Sequence, residues 1–485
     1  MSDFVGKIAE LNDGLNQIVW GAPALILIIG VGIYYTIRSG AFQFRHFGLA
    51  MKNTVGRISE KRGEEIGEGE VSPMQAISTA LAGAFGVGNI AGVTSAITIG
   101  GPGAIFWMVL SALVGMMTKF AEIFLSISYR QRNDEGDWVG GPMYYIKNGL
   151  KKHWHWLATF FALAACFAAL GTGNAVQVGN ISDALQTAVQ EFVPNIREHT
   201  DIFNAVVGII LMLIVGFILI GGIQRIGQAA ESVVPPMAII YSLFCLIAIL
   251  ANFSNIGNAF RQIFVGAFEP AAVFGGLAGA TMRHALEFGV KRGVFSNEAG
   301  LGTGPMAHAA STESNPVKQA FFAILEVGAT ILVCLLNGLL VVACLSPETI
   351  NYGVEGTTSL NAQALATVFG GKIGSIIVAI ALALFAFTTI IGWGLYGIRC
   401  AEFVFGIKAK KFYTYLYIVT CFVGATAELG VVWGISDTMN GLMIIPNCLA
   451  LLLLSGQVNK GIKDYLKEQK EAQALAGKQK TSKQA

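Results

Sequence analysis

The sequence of 485 residues is 54% hydrophobic and only 13% charged, with a mean hydropathy of +0.61. A soluble domain carries about a quarter charged residues, so most water-soluble folds are excluded. Lys and Arg number 32 against 30 Asp and Glu, and a net charge of +2 indicates no nucleic-acid partner.

Apolar runs long enough to cross a bilayer, which takes about 20 residues, recur along the chain. The fold class is therefore an all-α polytopic membrane protein, with the lipid bilayer as its main solvent. The 59 glycines suit close helix contacts in lipid. Seven cysteines, at 166, 245, 334, 344, 400, 421 and 448, lie in or beside apolar segments and make no CxxC pair. They read as small buried hydrophobes, with neither a disulfide framework nor a metal site.

In chain order, residues 1–16 are polar, lack a basic leader, and read as an extracytoplasmic N-terminus. Eleven transmembrane helices follow, near 17–37, 73–98, 103–129, 155–189, 203–221, 229–251, 265–288, 319–344, 373–399, 412–433 and 437–456. The run at 155–189 is too long for one straight span, so tilt or an extension beyond the bilayer is expected. A Lys-rich tail over 459–485 closes the chain. With this count, 27 Lys and Arg fall on one side of the membrane and 4 on the other, with Lys119 inside a span. The positive-inside rule then puts the N-terminus outside and the tail in the cytoplasm.

Without the helix at 17–37, ten helices divide into a first repeat over 73–251 and a second over 265–456. Five is odd, so the second set enters the membrane from the opposite side and the repeat is inverted. Interrupted helices at matching places of such a repeat are the best sequence pointer to a binding site. The second helix carries Gly83, Gly86, Gly88 and Gly92 around Asn89, and the seventh carries Gly275, Gly276 and Gly279 after Phe274. Glycine loosens a helix by about 1 kcal/mol per residue relative to Ala. Freed backbone groups cannot face lipid, so they must line a cavity where N–H groups hold anions and carbonyls hold cations. Close helix packing through Gly88-xxx-Gly92 and Gly275-xxx-Gly279 is the competing explanation.

Four blocks carry a more specific signal. Thr79-Ala-Leu-Ala-Gly-Ala-Phe-Gly-Val-Gly-Asn-Ile-Ala-Gly-Val93 resembles the corresponding segment of the alanine or glycine:cation symporter family. So do Gly100-Gly-Pro-Gly-Ala-Ile-Phe-Trp-Met108, Gly140-Gly-Pro-Met-Tyr-Tyr145 and Phe288-Gly-Val-Lys-Arg-Gly-Val-Phe-Ser-Asn-Glu-Ala-Gly-Leu-Gly302, although Val109 stands where that family usually has Trp. The resemblance implies a leucine-transporter-like fold of five plus five inverted helices with one extra N-terminal helix. It also implies symport of alanine, glycine or a similarly small amino acid with Na⁺ as coupling ion, no cofactor, and a location in the plasma membrane.

Carried over by position, the family's substrate site falls on Gly86, Gly88, Asn89, Gln177, Phe274, Gly275, Gly276, Thr389 and Trp393. Gly86, Gly88 and Asn89 are expected to take the substrate carboxylate, Gln177 to form a polar wall, and Phe274, Gly275 and Gly276 to offer carbonyls and an aromatic lid to the ammonium end. By analogy with sodium sites of the wider fold, the ion ligands are Ala82, Phe85, Phe385, Thr388 and Thr389. An oxygen-only set suits a hard cation. Blander roles compete: Thr388 and Thr389 back-bonding to their own helix, Trp393 as packing, and Gln177 as a structural hydrogen bond. Lys119 and Glu122, three residues apart, are expected to pair with each other. Glu326 reads equally as a gate or a helix–helix contact.

An ion channel would favour a pore ring made by oligomerisation, whereas one chain here carries a duplicated scaffold. HExxH, nucleophile-elbow and phosphate-loop motifs are lacking, which argues against an enzyme or a self-contained ATP-driven pump. Proton coupling is the main alternative to sodium, and it normally needs a titratable group at mid-membrane. None of the six histidines is clearly placed there by the sequence.

Overall fold

The computed structural model describes residues 2–57, 70–269, 282–353, 358–427 and 430–484. It is helical nearly throughout: α1 Ser2–Val19, α2 Ala22–Arg38, α3 Pro73–Ala84, α4 Ala91–Gly100, α5 Gly103–Tyr129, α6 Pro142–Gly149, α7 Trp156–Leu170, α8 Val176–Gln190, α9 Thr200–Ile220 and α10 Gly222–Ala251. The second half comprises α11 Phe253–Phe268, α12 Met282–Asn297, α13 Pro305–His308, α14 Phe322–Cys344, α15 Ser359–Phe369, α16 Gly371–Phe405, α17 Ile407–Thr426, α18 Gly430–Leu453 and α19 Ser455–Gln484. A short antiparallel hairpin, Gln131–Arg132 with Trp138–Val139, follows α5.

Among the described residues, 8 helical stretches are long and apolar enough to cross a membrane. The other expected spans fall short for separate reasons. The one at 73–98 is two half-helices, and Ile407–Thr426 is a helix diluted by Lys408, Lys410 and Lys411 at its start. The one at 265–288 falls partly on 270–281, outside the described residues. The long run at 155–189 is resolved as α7, a π-helical turn at Gly171–Ala175, and α8. Single π turns inside helices are frequent at functional sites. The Lys-rich tail is one continuous helix, α19.

Two interrupted elements stand at the centre. Pro73 and a capping box, in which Ser72 and Gln75 exchange hydrogen bonds of 3.1 Å, start α3. Its last turn fails at Phe85, whose ψ of 79° turns the carbonyl out of the helix. A 3₁₀ turn over Val87–Asn89 leads into α4. The second element runs antiparallel beside the first. A Cβ on Gly100 would sit 3.2 Å from His284 O, Arg292 reaches Ser95 Oγ at 3.3 Å, a Cβ on Gly88 would meet Phe295 at 3.4 Å, and Ser311 bridges to Val71. Between α12 and α13 the chain unwinds through Glu298, Gly300 and Gly302, with φ of +54°, +94° and +78°. The break that faces Phe85–Ile90 is therefore Glu298–Gly304; the interruption expected at Phe274–Gly279 lies outside the described residues.

Candidate functional site

Unwinding in a membrane interior leaves polar backbone to satisfy, and buried side chains do so here. Asn89 Oδ1 accepts from Gly86 N–H at 3.2 Å, and Gly86 N–H also reaches Ala84 O at 3.1 Å. The Ala82 carbonyl thus loses its ordinary helical donor. The Asn89 N–H goes to Gly86 O at 3.1 Å, which leaves the Phe85 carbonyl free of its helical partner as well. Phe85 O points at α16, where Thr389 Oγ1 donates at 3.1 Å and Thr388 Oγ1 lies at 3.5 Å. Both hydroxyls also reach Phe385 O, at 2.9 Å from Thr388 and 3.1 Å from Thr389. Two carbonyls and two hydroxyls therefore converge in a fully buried spot. Ala82 borders it, since a Cβ on Gly392 would sit 3.2 Å from the Ala82 carbonyl carbon.

The facing break is held from the other side. Glu122 Oε1 accepts from Gly300 N–H at 3.0 Å, Gly302 N–H at 3.1 Å and Asn447 Nδ2 at 2.6 Å. Lys119 Nζ lies 2.9 Å from Glu326 Oε1, so the expected Lys119–Glu122 pair does not form. Three residues of spacing put both side chains on one face of α5, but the orphaned glycine N–H groups claim Glu122. Glu326 is thus resolved as a helix–helix ion pair. Its second oxygen lies 3.4 Å from His308 Nε2, and His308 Nδ1 is 2.7 Å from Gln319 Nε2. His308 is a fully buried titratable group inside the bundle, a placement that the sequence alone did not make clear. Glu298 takes Trp393 Nε1–H at 2.9 Å and Thr303 Oγ1–H at 2.7 Å.

The two breaks enclose an inner cavity lined by Gly86, Gly88, Asn89, Gln177, Phe295, Glu298, Thr389, Trp393 and Asn440, among others. It is narrow, about 20 Å³, close to what a single water needs, so an amino acid enters only if the breaks move apart. Gln177 ties the π turn to the first break, donating to Thr172 O at 3.0 Å and facing Val87 N–H at 3.5 Å. Trp393 fits against the π turn because residue 173 is Gly; a Cβ there would lie 2.5 Å from the Trp393 Cβ. Of the expected substrate residues, Gly86, Gly88, Asn89, Gln177, Thr389 and Trp393 are brought together, while Phe274, Gly275 and Gly276 lie outside the described residues. The sequence reading missed Phe295, Glu298 and Asn440. A usable signal for Glu298 was an acidic residue inside a glycine-rich block of a membrane protein.

Phe295, Gly88 and Gln177 also line a second, larger cavity of about 790 Å³, bordered by Asp183, Arg197, Arg292 and Thr358. This vestibule leads from the inner cavity toward Arg197 and Thr358, in connections with few basic residues; Arg292, counted on the basic side from the sequence, lies beside Ser95 on this side instead. The basic side is sealed. Asp137 in the hairpin lies 3.2 Å from Arg399 and 3.1 Å from Lys410, and Asn133 donates to Glu402 at 2.6 Å. Arg130 donates to the carbonyls of Ala309 and Ser311 at 3.0 and 2.7 Å. Partial burial opposes charge on Asp137, but Arg399 and Lys410 outweigh it and hold the carboxyl below its usual range. The seal therefore stays ionised through neutral pH.

Comparison with known proteins decides what scaffold this is. The pattern of the sodium:alanine symporter family matches residues 6–480. The chain belongs to that family. A member from Methanococcus maripaludis, the sodium/alanine symporter AgcS, is 40% identical over 94% of this chain and 96% of its own. An uncharacterized transporter of Haemophilus influenzae is 41% identical over 96% and 97%. A Bacillus subtilis relative named as a putative sodium/proton-dependent alanine carrier, YrbD, is 35% identical over 97% and 94%. The crystal structure of MhsT in complex with L-phenylalanine superposes with a TM-score of 0.61 at 13% identity, covering 83% of this chain and 93% of MhsT. The fold is thus leucine-transporter-like, and the protein is a multi-pass transporter of the plasma membrane, not an enzyme. In this symporter-family chain, the paired breaks sit between an open vestibule and a closed basic side.

Proposed function

We propose that the protein couples inward movement of Na⁺ to uptake of alanine, glycine or a similarly small neutral amino acid, by alternating access. The observation that carries the reading is the convergence of Phe85 O, Phe385 O, Thr388 Oγ1 and Thr389 Oγ1 beside the inner cavity. Carbonyls and hydroxyls alone suit a hard monovalent cation. On this reading each hydroxyl proton turns outward when the ion enters, presenting a lone pair in place of its bond to carbonyl. Ala82 O is the remaining ligand we assign.

The amino acid occupies the inner cavity with its carboxylate toward Gly86, Gly88 and Asn89 and its ammonium toward Glu298, with Phe274, Gly275 and Gly276 kept as the carbonyls and aromatic lid that the family resemblance implies. Asn89 here caps Gly86, so it acts on the carboxylate chiefly by holding the turn. The distribution of basic residues supports a cytoplasmic sealed side, so the vestibule faces outward.

A proton is the second candidate for the coupling ion. The buried Lys119–Glu326–His308 network and the name of the Bacillus subtilis relative, a putative sodium/proton-dependent alanine carrier, favour it. Uptake of labelled alanine into proteoliposomes, with Na⁺ and pH gradients imposed separately, separates the two. Sodium coupling predicts that Thr388→Ala with Thr389→Val raises the Na⁺ concentration for half-maximal uptake at least tenfold. Each unmade polar contact to charge costs about 1.5–3 kcal/mol. Uptake driven by a pH gradient and indifferent to Na⁺ in both proteins would refute it.

Trp393 sets the size limit. Its indole walls the cavity and is locked by Gly173 and Glu298, and a rigid ring rejects bulk that charge contacts cannot sense. Trp393→Ala should let valine and leucine compete with labelled alanine while weakening alanine itself roughly tenfold, within the range of one apolar group. An unchanged ranking of competitors would make Trp393 a packing residue.

A further inference from the structure

The polar side chains lining the inner cavity differ in how well they are satisfied. Asn89, Gln177, Glu298, Thr389 and Trp393 all have protein partners at 2.9–3.5 Å. Asn440 does not. It is fully buried, lines the same cavity, and neither its Oδ1 nor its Nδ2 is hydrogen-bonded. It lies on α18 one turn after Ser436, whose side chain fills the space left open by Gly171 at the start of the π turn. The carboxamide is therefore set on a packed helix at the cavity wall.

A buried carboxamide with both ends unpaired is costly, and native proteins keep few such groups. Its cost is recovered when something in the cavity supplies a donor and an acceptor together. A methyl group supplies neither, and so the side chains of alanine and glycine leave it unmet. A hydroxymethyl group supplies both, because a hydroxyl donates one proton and accepts through its lone pairs. The carboxylate and ammonium of the substrate have their own partners in Gly86–Asn89 and Glu298, which leaves the side-chain end for Asn440.

We propose that Asn440 reads a hydrogen-bonding group on the substrate side chain, extending the cargo from alanine and glycine to small hydroxyl amino acids such as serine. The inference rests on the inner cavity being the amino-acid site. A site built to hydrogen-bond a substrate hydroxyl rejects the analogue lacking it much more strongly than an apolar pocket rejects an added methylene, because the buried polar group is then left unpaired. Serine and 2-aminobutyrate make the right pair, since they differ by a hydroxyl in place of a methyl at nearly constant size.

The test is competition against labelled alanine uptake in proteoliposomes, read as the ratio of half-inhibitory concentrations of 2-aminobutyrate and serine. The ratio is expected to be at least 10 in the wild type and to fall to 1 or below in Asn440→Leu, which keeps the volume and removes both polar atoms. Asn440→Ala gives the same ratio test should the leucine variant fail to fold. A wild-type ratio near 1, or a ratio that survives both substitutions, overturns the inference while leaving the cavity reading intact. A wild type that takes up alanine in a manner insensitive to Trp393→Ala and to Glu298→Gln overturns the cavity reading, and this inference with it.

Discussion

Lys119→Met is expected to leave little folded transporter, and adding Glu326→Gln is expected to restore much of it. Lys119 Nζ and Glu326 Oε1 are 2.9 Å apart, and both side chains are entirely buried. Removing one member of a buried pair strands the other charge, at about 3–5 kcal/mol, whereas removing both charges together is often nearly neutral. That loss is a large fraction of a typical folding free energy of about 5–15 kcal/mol. His308 cannot replace the lysine, since it lies 3.4 Å from the other oxygen of Glu326 and is tied to Gln319. Lys119 also reaches Asn297 O at 3.4 Å, and a Cβ on Gly304 would come 2.7 Å from its Nζ, so both ends of the second break rest against it. Fluorescence-detected size exclusion after heating in detergent measures the effect. A single mutant that melts with the wild type would show that the pair contributes nothing to the fold, and a double mutant no better than the single would place the lysine's effect elsewhere.

The pattern of apolar runs revealed the fold class because the bilayer imposes one strong rule, about 20 apolar residues per crossing. It lost force where spans depart from that rule. Pro73–Gly100 is split, and Ile407–Thr426 begins among lysines, so neither meets the length and hydropathy of an ordinary span. The first break was legible because Gly83, Gly86 and Gly88 interrupt an apolar run directly. The second was expected at Phe274–Gly279, which lies outside the described residues, while the break that faces the first, Glu298–Gly304, was not singled out. Glycine density was the signal used, and it cannot tell a loosened helix from a left-handed backbone. Glu298 adopts φ +54° without being glycine, and Gly300 and Gly302 follow it at positive φ. Asn and Glu flanking such a run in a membrane chain are the stronger pointer, since buried polar side chains are what an unwound backbone requires.

The same physics explains the side-chain errors. A local rule paired Lys119 with Glu122 by spacing, but tertiary contacts decided both partners: a carboxylate on α14 for the lysine and two glycine N–H groups for the glutamate. Asn440 could not be singled out, because one Asn in an apolar helix carries no hint of whether it has a partner. Thr388 and Thr389 were found because adjacent hydroxyls one turn before Trp393 formed part of a recognisable block. In the structure they do back-bond to Phe385 O, as the blander reading held, and in addition reach across to Phe85 O. The two sets of contacts coexist.

Gly392→Ala is expected to cut Na⁺-driven uptake at least 30-fold and to raise the Na⁺ requirement of what remains. Residue 392 is where α16 touches α3 backbone to backbone. A Cβ there would lie 2.6 Å from Gly83 N, 2.9 Å from Gly83 Cα and 3.2 Å from the Ala82 carbonyl carbon. Close approach through small residues is a common way for membrane helices to pack. No flexible side-chain end is available to yield, so α16 itself must move away from α3. Overpacking of this kind costs about 1–3 kcal/mol, and here the displacement falls on the proposed ion site. Thr388 and Thr389 sit one turn earlier on the same helix, and their reach of 3.5 and 3.1 Å to Phe85 O has no slack to lose. Gly371, at the start of the same helix, is the internal comparison: a Cβ there meets nothing within 4 Å, so Gly371→Ala should transport like the wild type. Uptake at graded Na⁺ concentrations, normalised to folded protein, measures all three. A Gly392→Ala protein with unaltered Na⁺ dependence would show that the contact between α3 and α16 does not position the ion ligands.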